Sequence, residues 1–269
     1  MVLAGLQSQY QAKKNHGGKI SLKHKGKTIK STNIKSGKHI DLKNILQRVI
    51  LVSYMDMIQF KDRIDGANQL AKLLSAYKNT SNVVLGIPRG GVVTAKIIAD
   101  KLNLPLGIVV VRKIGHPNNP EYAIAAVSES GILYKNELET ANLSEKWIKQ
   151  ETNKELQEAN RRRSIYWGKR QPLSFTDKTI ILIDDGLATG ITMFAAILEV
   201  KKQHPQKIIV AVPITPEDTR QKILHEADDF VAVSSPSDFL GGVGNYYRDF
   251  PQVEDREVIE LLCPQHPQS

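Results

Sequence analysis

Apolar residues from about residue 60 onward follow two periods, one typical of helices and one typical of buried strands. Residues 62–77 carry apolar side chains three or four positions apart, which predicts an amphipathic helix. Short runs that are apolar throughout predict strands covered on both faces; they lie at 82–87, 106–113, 179–183, 207–214 and 230–233. Helical segments separate these runs at 90–102, 192–203 and 216–227. This alternation predicts an α/β domain with a mainly parallel sheet flanked by helices.

Two segments do not fit this simple alternation. Residues 122–134 have the pattern of a β-hairpin around Glu129, Ser130 and Gly131. Residues 144–166 are strongly charged and predict a long helix. We therefore predict a folded domain at 56–269 with a helical insertion at 133–167 and a C-terminal hood or tail at 236–269.

Positive charge is concentrated at the start of the chain. The net charge is +9, but residues 1–50 carry ten Lys and one Arg against a single acid, so the remaining residues have a net charge of −1. This segment has little apolar periodicity and cannot bury enough apolar surface to offset its ordering entropy. We predict a basic, mostly disordered tail at 1–55. Its role stays open between a solubilising extension, a start of translation assigned too far upstream, and a contact with nucleic acid.

The composition indicates the cellular compartment and excludes some kinds of metal site. Cys263 is the single cysteine, which rules out an intramolecular disulfide and a multi-cysteine metal site and is typical of a reducing cytoplasm. No apolar run approaches the roughly 18 residues of a membrane span, and the first residues lack the apolar core of a secretory signal. We expect a cytoplasmic protein without a membrane partner.

Two adjacent acids end one of the predicted buried strands, in the sequence ILIDDGLATGIT at 181–192. Asp184 and Asp185 repel each other and are costly to desolvate, which indicates that they hold a ligand. In open parallel sheets, ligands bind beyond the carboxyl ends of the strands. The following loop, with Thr189 and Thr192, enters a helix whose N-terminal amides favour a phosphate. One short segment therefore offers acceptors for vicinal hydroxyls and a cradle for phosphate, as ribose 5-phosphate requires.

This segment resembles the phosphoribosyl-diphosphate signature of the type I phosphoribosyltransferases: an apolar strand, two acids, small residues and Thr-Gly-x-Thr. The resemblance implies that Asp184 and Asp185 hold the ribose 2- and 3-hydroxyls and that the loop binds the 5-phosphate. The implied loop residues are Gly186, Ala188, Thr189, Gly190 and Thr192. An acidic strand end before a Thr-capped helix is the alternative interpretation. The start FKDRIDG at 60–66 is similar to a group of such transferases, themselves predicted from sequence, that carry LxDDGxATG signatures.

A second loop supports the resemblance. Arg89, Gly90 and Gly91 follow the predicted strand 82–87 and precede a helix. Glycines allow a close approach of the backbone to an anion, and arginine adds a forked charge. In the family, the corresponding loop grips the diphosphate leaving group, often through an unusual cis peptide. An ordinary strand-to-helix turn with an exposed arginine is the alternative.

Arg112 and Lys113 end the predicted strand 106–113 and could neutralise diphosphate charge. The residues after them, 114–121, are rich in Gly, Pro and Asn, a composition typical of a mobile loop. Family members close a flexible loop from this region over the site and so exclude water from a reactive sugar cation. A plain surface loop with a solvated Arg-Lys pair is the alternative.

The acceptor is less well defined by the resemblance. Transferases for 6-oxopurines usually place an acid directly before Thr-Gly, whereas Ala188 stands there in this chain, which argues against hypoxanthine or guanine. Tyr246, Tyr247 and Phe250 could stack on a planar base, with Tyr247 chosen as the candidate, or they could anchor the C-terminal tail on the core.

The implied reaction transfers phosphoribose from phosphoribosyl diphosphate to a nitrogenous base or amine. Mg²⁺ is the implied cofactor, held indirectly by Asp184 and Asp185 through ribose hydroxyls or water, and a homodimer is the implied assembly. The rival hypothesis is a regulator that senses phosphoribosyl diphosphate and binds nucleic acid through its basic tail. A phosphatase or hydrolase acting on a ribose phosphate is a third class left open.

Overall fold

The chain contains two compact units, Met1–Gln59 and Phe60–Ser269. The computed structural model describes the backbone of residues 10–14, 19–24 and 27–33, together with residues 59–171 and 173–263. The predicted tail ends at residue 55, and the two units divide between Gln59 and Phe60.

Within the first unit, three strands form an antiparallel sheet in the order β1-β2-β3. They are β1 (Tyr10–Lys14), β2 (Lys19–His24) and β3 (Lys27–Asn33). The sequence pattern predicts little regular structure here. These strands can pair because they are neighbours in the chain, so that pairing requires the closure of only short loops. The rest of the predicted disordered tail lies outside the described residues.

The second unit is built around a five-stranded parallel sheet in the order β11-β10-β9-β4-β5. Its strands are β4 (Val83–Gly86), β5 (Leu106–Ile108), β9 (Thr179–Ile183), β10 (Lys207–Ile214) and β11 (Asp229–Ser234). The helices are α1 (Arg63–Leu73), α2 (Gly90–Leu102), α3 (Glu137–Thr140), α4 (Glu145–Trp167), α5 (Ile191–Lys201), α6 (Glu217–Ile223) and α7 (Asp255–Leu262). The predicted α/β class with a mainly parallel sheet is confirmed.

Successive strand residues point to opposite faces of this sheet and enter two separate clusters. Leu182 and Val210 pack with α5 on one face, whereas Ile181 and Ala211 pack with α1 and α2 on the other. Because both faces are covered by apolar side chains, the strands are apolar throughout rather than alternating. This is the physical reason for the pattern seen in the sequence.

A second, antiparallel sheet lies against α5 and has the order β6-β7-β8. Its strands are β6 (Val111–His116), β7 (Asn119–Ser128) and β8 (Leu133–Lys135). The predicted single strand at 106–113 is therefore divided between β5 and β6, which belong to different sheets. The predicted hairpin at 122–134 is present, formed by β7 and β8.

The predicted mobile loop at 114–121 is instead the end of a β-hairpin. β6 pairs with β7 as far as His116 and Asn119, with irregular register on both sides of Gly115. The Gly, Pro and Asn residues therefore accommodate bulges and a tight turn rather than a long irregular loop.

The C-terminal segment returns to the start of the second unit. The Phe60 N–H donates to the Tyr246 carbonyl at 3.1 Å, and the Arg248 N–H donates to the Phe60 carbonyl at 2.9 Å. Further along, Val258 and Leu262 of α7 pack with Tyr166 and Trp167 of α4. Five side chains of residues 246–263 are thus buried: Tyr246, Tyr247, Val253, Val258 and Leu262. Residues 264–269 of the predicted tail lie outside the described residues. Among the helices of the described residues, none is long and apolar enough to cross a membrane.

We expect the unit that begins at Phe60 to fold without residues 1–54, because it contains its own buried clusters on both faces of the sheet. Urea unfolding of the full chain and of residues 55–269, followed by tryptophan fluorescence, should give the same midpoint, since Trp147 and Trp167 lie in this unit. A truncated chain that fails to fold would contradict this expectation.

Candidate active site

The two loops that the sequence singles out lie at the same edge of the parallel sheet. Gly86 of β4 pairs with Ile183 of β9, and the next residue, Ile87, donates its N–H to the Ile183 carbonyl at 3.0 Å. Both strands therefore end side by side. The acids after β9 and the Arg-Gly-Gly loop after β4 consequently meet beyond the carboxyl ends of two adjacent strands, where open parallel sheets bind ligands.

The two carboxylates are partly buried in this position. The Asp185 N–H donates to Asp184 Oδ1 at 2.8 Å, and only 14% of the Asp185 side chain is exposed. Burial raises the pKa of Asp184, and the neighbouring Asp185 charge raises it further. Burial also raises the pKa of Asp185, although Arg63 opposes this shift. Two desolvated acids side by side are electrostatically unfavourable, so the pair is a strong candidate for binding a ligand.

Gly90 and Gly91 pack directly against this acid pair. A Cβ atom at Gly91 would lie 2.8 Å from Asp184 Oδ1, and one at Gly90 would overlap Asp185 Oδ2. Any larger residue would therefore displace one of the carboxylates. The preceding Pro88-Arg89 peptide bond is cis, as the resemblance implies for this loop. The structure thus brings together the acid pair and the glycines of the candidate diphosphate loop.

The loop after the acids has the form expected of an anion site. Gly190 caps α5 with a left-handed φ of 75°, a conformation that glycine adopts without steric cost. Among the described residues, no protein group hydrogen-bonds to the hydroxyls of Thr189 or Thr192. The Ala188 carbonyl, by contrast, accepts from Thr219 Oγ1 at 2.7 Å, which fixes the loop from behind. A cavity of about 530 Å³ borders Ala188 and Thr189 on the side of β8 and α6, and the acid pair does not line it.

Gly186 has a packing role in this loop. It is buried, and a Cβ atom there would lie 2.7 Å from Ile214 Cγ2. The next residue, Leu187, donates its N–H to the Ile214 carbonyl at 2.9 Å and enters the core. These contacts turn the chain back toward β10 and so position the Thr-containing part of the loop.

Arg63 contacts the acid pair, and sequence analysis assigned it no role. Its Nε donates to Asp185 Oδ2 at 2.7 Å, and its Nη1 donates to the Pro251 carbonyl at 2.6 Å. The guanidinium carbon also lies 3.6 Å from the centroid of the Phe250 ring. The signal in the sequence was the FKDRIDG start at 60–66, which was noted as a resemblance without a function for the arginine.

Tyr247 is a core residue here and offers no open face to a base. It is 3% exposed, and its ring lies 5.0 Å from that of Phe60 on one side and 4.7 Å from that of Phe250 on the other. Its hydroxyl donates to the Asp185 carbonyl at 2.6 Å. The assignment of Tyr247 to substrate stacking therefore gives way to the alternative, in which these aromatics anchor the C-terminal segment.

The three basic side chains predicted to bind diphosphate all form ion pairs with acidic residues of the protein. Arg89 Nη1 lies 3.4 Å from Glu254 Oε2 and 3.6 Å from Asp255 Oδ1. In β6, Arg112 forms an ion pair with Glu155 at 2.8 Å, and Lys113 forms one with Glu121 at 2.9 Å.

Because adjacent residues of a strand point to opposite faces, Arg112 and Lys113 cannot both face one site in this arrangement. Arg112 is directed at α4, and Lys113 lies on the exposed side of the hairpin. The structure therefore gathers the acid pair and the glycine loop. The Arg89 side chain, which begins in that loop, is directed at Glu254 and Asp255, and Arg112 and Lys113 do not come together on the cluster.

The acid pair also fits the way in which proteins hold Mg²⁺. Mg²⁺ is usually bound by one or two carboxylates together with water and substrate phosphates rather than by a cage of protein ligands. Asp184 and Asp185 supply two such carboxylates, and the described part of the chain contains no cluster of three or more His, Cys, Asp or Glu that could hold a metal by itself. The donor set therefore suits a magnesium ion that arrives with its substrate.

Comparison with known families agrees with this geometry. The family model described as "Phosphoribosyl transferase domain" matches residues 58–250, which include the acid pair, both loops and Arg63. The chain therefore belongs to the phosphoribosyltransferase family, an enzyme family of glycosyl-transferring type, as the sequence predicted.

Individual relatives were also found. Two curated proteins from Mycobacterium tuberculosis, strains CDC 1551 and H37Rv, are each named "Putative phosphoribosyl transferase" and are 36% identical over 209 residues. That match covers 77% of this chain and 47% of each relative, so the chain spans about half the length of these proteins. The crystal structure of TT1426 from Thermus thermophilus is 35% identical, covers 76% of this chain and 97% of its own, and has a TM-score of 0.64.

Replacing Gly190 with alanine should destabilise the protein and weaken binding of ribose 5-phosphate. A Cβ there would lie 2.8 Å from Thr219 Cγ2, and the left-handed conformation costs an L residue roughly 1–2 kcal/mol in addition. Gly241→Ala is a matched control, because Gly241 has the same φ of 75° but no neighbouring atom within 4 Å. Urea unfolding and calorimetric titration should separate the two variants. If the two variants lost the same free energy of unfolding and both still bound ribose 5-phosphate normally, the close approach of Gly190 to Thr219 would have no role.

Proposed function

We propose that this protein transfers the phosphoribosyl group of phosphoribosyl diphosphate to a nitrogenous base or amine and releases diphosphate. The family assignment supports the general reaction. The arrangement of the acid pair, the glycine loop and the helix N-terminus of α5 supports the proposed donor, since it offers one group for each part of that molecule.

One observation carries the proposal: the contact of Gly90 and Gly91 with the two carboxylates. A loop that binds diphosphate and a pair of acids that binds a sugar diol must be within the length of one ligand, because carbon 1 of the ribose is bonded to the diphosphate. Glycines at both positions allow this approach, and a side chain at either would displace an acid. An ordinary strand-to-helix turn has no such requirement.

Each part of the donor has a proposed partner. The Asp184 and Asp185 carboxylates accept hydrogen bonds from the ribose hydroxyls, and the amides and hydroxyls of Ala188–Thr192 bind the 5-phosphate at the α5 N-terminus. Arg89 pairs with the diphosphate after exchanging Glu254 and Asp255 for it. The Glu254 side chain is 72% exposed and that of Asp255 33% exposed, and a doubly charged phosphate competes well with such solvated carboxylates.

Arg112 has a smaller role in this proposal, because Glu155 already neutralises it. Lys113 could approach the diphosphate only if the end of the β6–β7 hairpin moved, and its exposed pair with Glu121 would oppose such a movement by little. We retain Lys113 as the candidate from this hairpin.

In the proposed step, a nitrogen lone pair forms a bond to carbon 1 of the ribose while the bond from carbon 1 to the diphosphate oxygen breaks. The bonding electrons leave with diphosphate, and the proton of the attacking nitrogen goes to a base that we do not assign. Mg²⁺, when bound with the donor, would neutralise negative charge on the diphosphate. The acids act by position and charge: they orient the sugar and stabilise positive charge that develops on it.

The acceptor class follows from the residue before Thr189. Ala188 cannot act as a base toward an incoming ring, so we propose an acceptor other than a 6-oxopurine. Because Tyr247 is buried, a planar acceptor would have to contact other residues of the C-terminal hood. A cytoplasmic location and a homodimeric assembly belong to the same proposal.

A second candidate function, a regulator that senses phosphoribosyl diphosphate, is favoured by the concentration of positive charge in the sequence of residues 1–50. Such a protein would use the same site without turnover and would bind nucleic acid through the basic segment, since a basic segment attracts a polyanion.

Diphosphate release is the direct test of the proposed reaction. The protein is incubated with phosphoribosyl diphosphate, Mg²⁺ and a panel of purine, pyrimidine and amine acceptors. We expect release that depends on one acceptor class, that stops when EDTA removes Mg²⁺, and that falls at least tenfold in Asp185→Asn. A charge-assisted hydrogen bond to the sugar is worth about 1.5–3 kcal/mol, which corresponds to that loss or more.

Other outcomes separate the alternatives. Release without any acceptor would indicate a hydrolase. Binding of phosphoribosyl diphosphate without release, together with binding of a nucleic acid that the 55–269 fragment lacks, would favour the regulator. If Asp185→Asn and the original chain titrate identically with phosphoribosyl diphosphate, the assignment of the acid pair to the ribose is wrong.

A further inference from the structure

Arg63 lies at the junction of three segments that are far apart in the sequence. It is the first residue of α1, and it contacts Asp185, 122 positions later, and Pro251, 188 positions later. Its side chain is only 10% exposed, so these contacts occur largely out of water. An arginine in such a place loses hydration and is retained at a net gain only where its hydrogen bonds are well made.

Two contacts with the protein hold Asp185 from different ends. Arg63 Nε occupies one carboxylate oxygen, Oδ2, at 2.7 Å, and the Tyr247 hydroxyl donates to the Asp185 backbone carbonyl at 2.6 Å. Asp184 accepts instead from the Asp185 N–H, and no side chain of the described residues donates to it as Arg63 does to Asp185. The two acids are therefore not equivalent: Asp184 accepts from the backbone, Asp185 accepts from Arg63, and their two carboxyl groups also contact each other.

The C-terminal segment in turn fixes Arg63. The Pro251 carbonyl accepts from Nη1 at 2.6 Å, and the Phe250 ring lies under the guanidinium at 3.6 Å. Phe250 itself packs on Tyr247. The guanidinium is thus confined by a carbonyl, a ring and a carboxylate, which leaves it little freedom to turn toward a ligand.

We propose that Arg63 is a positioning residue that fixes the Asp185 carboxylate with Oδ2 toward the protein and Oδ1 toward the ribose diol of the bound substrate. The inference rests on the proposed function, because it presupposes that the acid pair binds the sugar. Arg63 does not touch the substrate. It limits the number of orientations of Asp185 before binding, and a ligand group that meets a fixed acceptor loses less entropy on binding.

The geometry of Gly90 supports this assignment. Asp185 Oδ2 and Arg63 Nε both lie against Gly90, with Nε 3.1 Å from the position that a Cβ would occupy. Rotation of the carboxylate away from Arg63 would therefore alter the contact with the candidate diphosphate loop. Arg63 keeps the diol-binding group and the diphosphate loop in one fixed relation.

The test compares a ligand that carries the diol with one that lacks it. Ribose 5-phosphate and inorganic phosphate are titrated calorimetrically into the full chain and into Arg63→Met and Arg63→Lys. Both ligands use the 5-phosphate loop, but only ribose 5-phosphate reaches the acids. We expect Arg63→Met to weaken the binding of ribose 5-phosphate about tenfold and the binding of inorganic phosphate less than about twofold. Arg63→Lys should recover part of the lost affinity.

Arg162→Met is the matched control. Arg162 is similarly buried, with 13% of its side chain exposed, and it pairs with Glu158 at 2.7 Å on α4. Loss of that ion pair should lower stability without changing the ratio of the two affinities. If Arg63→Met does not fold, Arg63→Lys provides the same comparison by itself, because it alters the contact on Asp185 Oδ2 and keeps the positive charge.

The outcomes separate this inference from the proposed function. If Asp185→Asn and Arg63→Met both weaken ribose 5-phosphate selectively, the inference holds. If Asp185→Asn does so but the Arg63 variants weaken the two ligands equally or not at all, Arg63 has only a structural role and the inference is overturned. If neither Asp184→Asn nor Asp185→Asn affects binding of ribose 5-phosphate, the proposed function fails, and the inference that rests on it is overturned as well.

Discussion

The central constraint on this structure is the burial of two adjacent carboxylates at the end of a strand. Repulsion between them and the loss of their hydration make Asp184 and Asp185 unfavourable unless surrounding groups compensate. Much of the neighbouring structure supplies that compensation. Arg63 neutralises one acid, the Asp185 N–H donates to the other, and the glycines of the facing loop leave the carboxylates enough space.

The same constraint explains why distant segments converge on this point. β9 is the central strand of the parallel sheet, with β4 and β10 on either side, so the loops after these strands surround the acids. The C-terminal segment contacts the site through Pro251 and Tyr247, and its Glu254 and Asp255 form ion pairs with Arg89. The site is therefore a local arrangement of loops that the fold and the C-terminal segment hold in place together.

Elements that depend on neighbouring residues of the chain could be predicted from the sequence. The apolar runs of β4, β9 and β10 reflect burial on both faces, and the sequence from Ile181 to Thr192 carries its own chemistry, so both could be predicted. The division of 106–113 between two sheets could not, because the run Leu106–Lys113 is apolar enough for one long strand and only tertiary pairing separates β5 from β6.

Contacts between distant residues were the least predictable. Tyr247 has an aromatic side chain of the kind that stacks on bases. Its burial between Phe60 and Phe250, however, depends on how the C-terminal segment returns to α1. The pair of Arg63 with Asp185 links positions 122 apart. Pattern and spacing describe neighbours along the chain, and neither provides information about such a pair.

A crystal structure of the protein with bound ribose 5-phosphate would test the central claim most directly. The sugar hydroxyls are expected within about 3 Å of the Asp184 and Asp185 carboxylates, and the phosphate within about 3 Å of the backbone amides of residues 188–192. Asp185 Oδ2 should remain on Arg63. A ligand bound elsewhere, or a sugar whose hydroxyls contact neither acid, would contradict the assignment of this buried pair to the ribose.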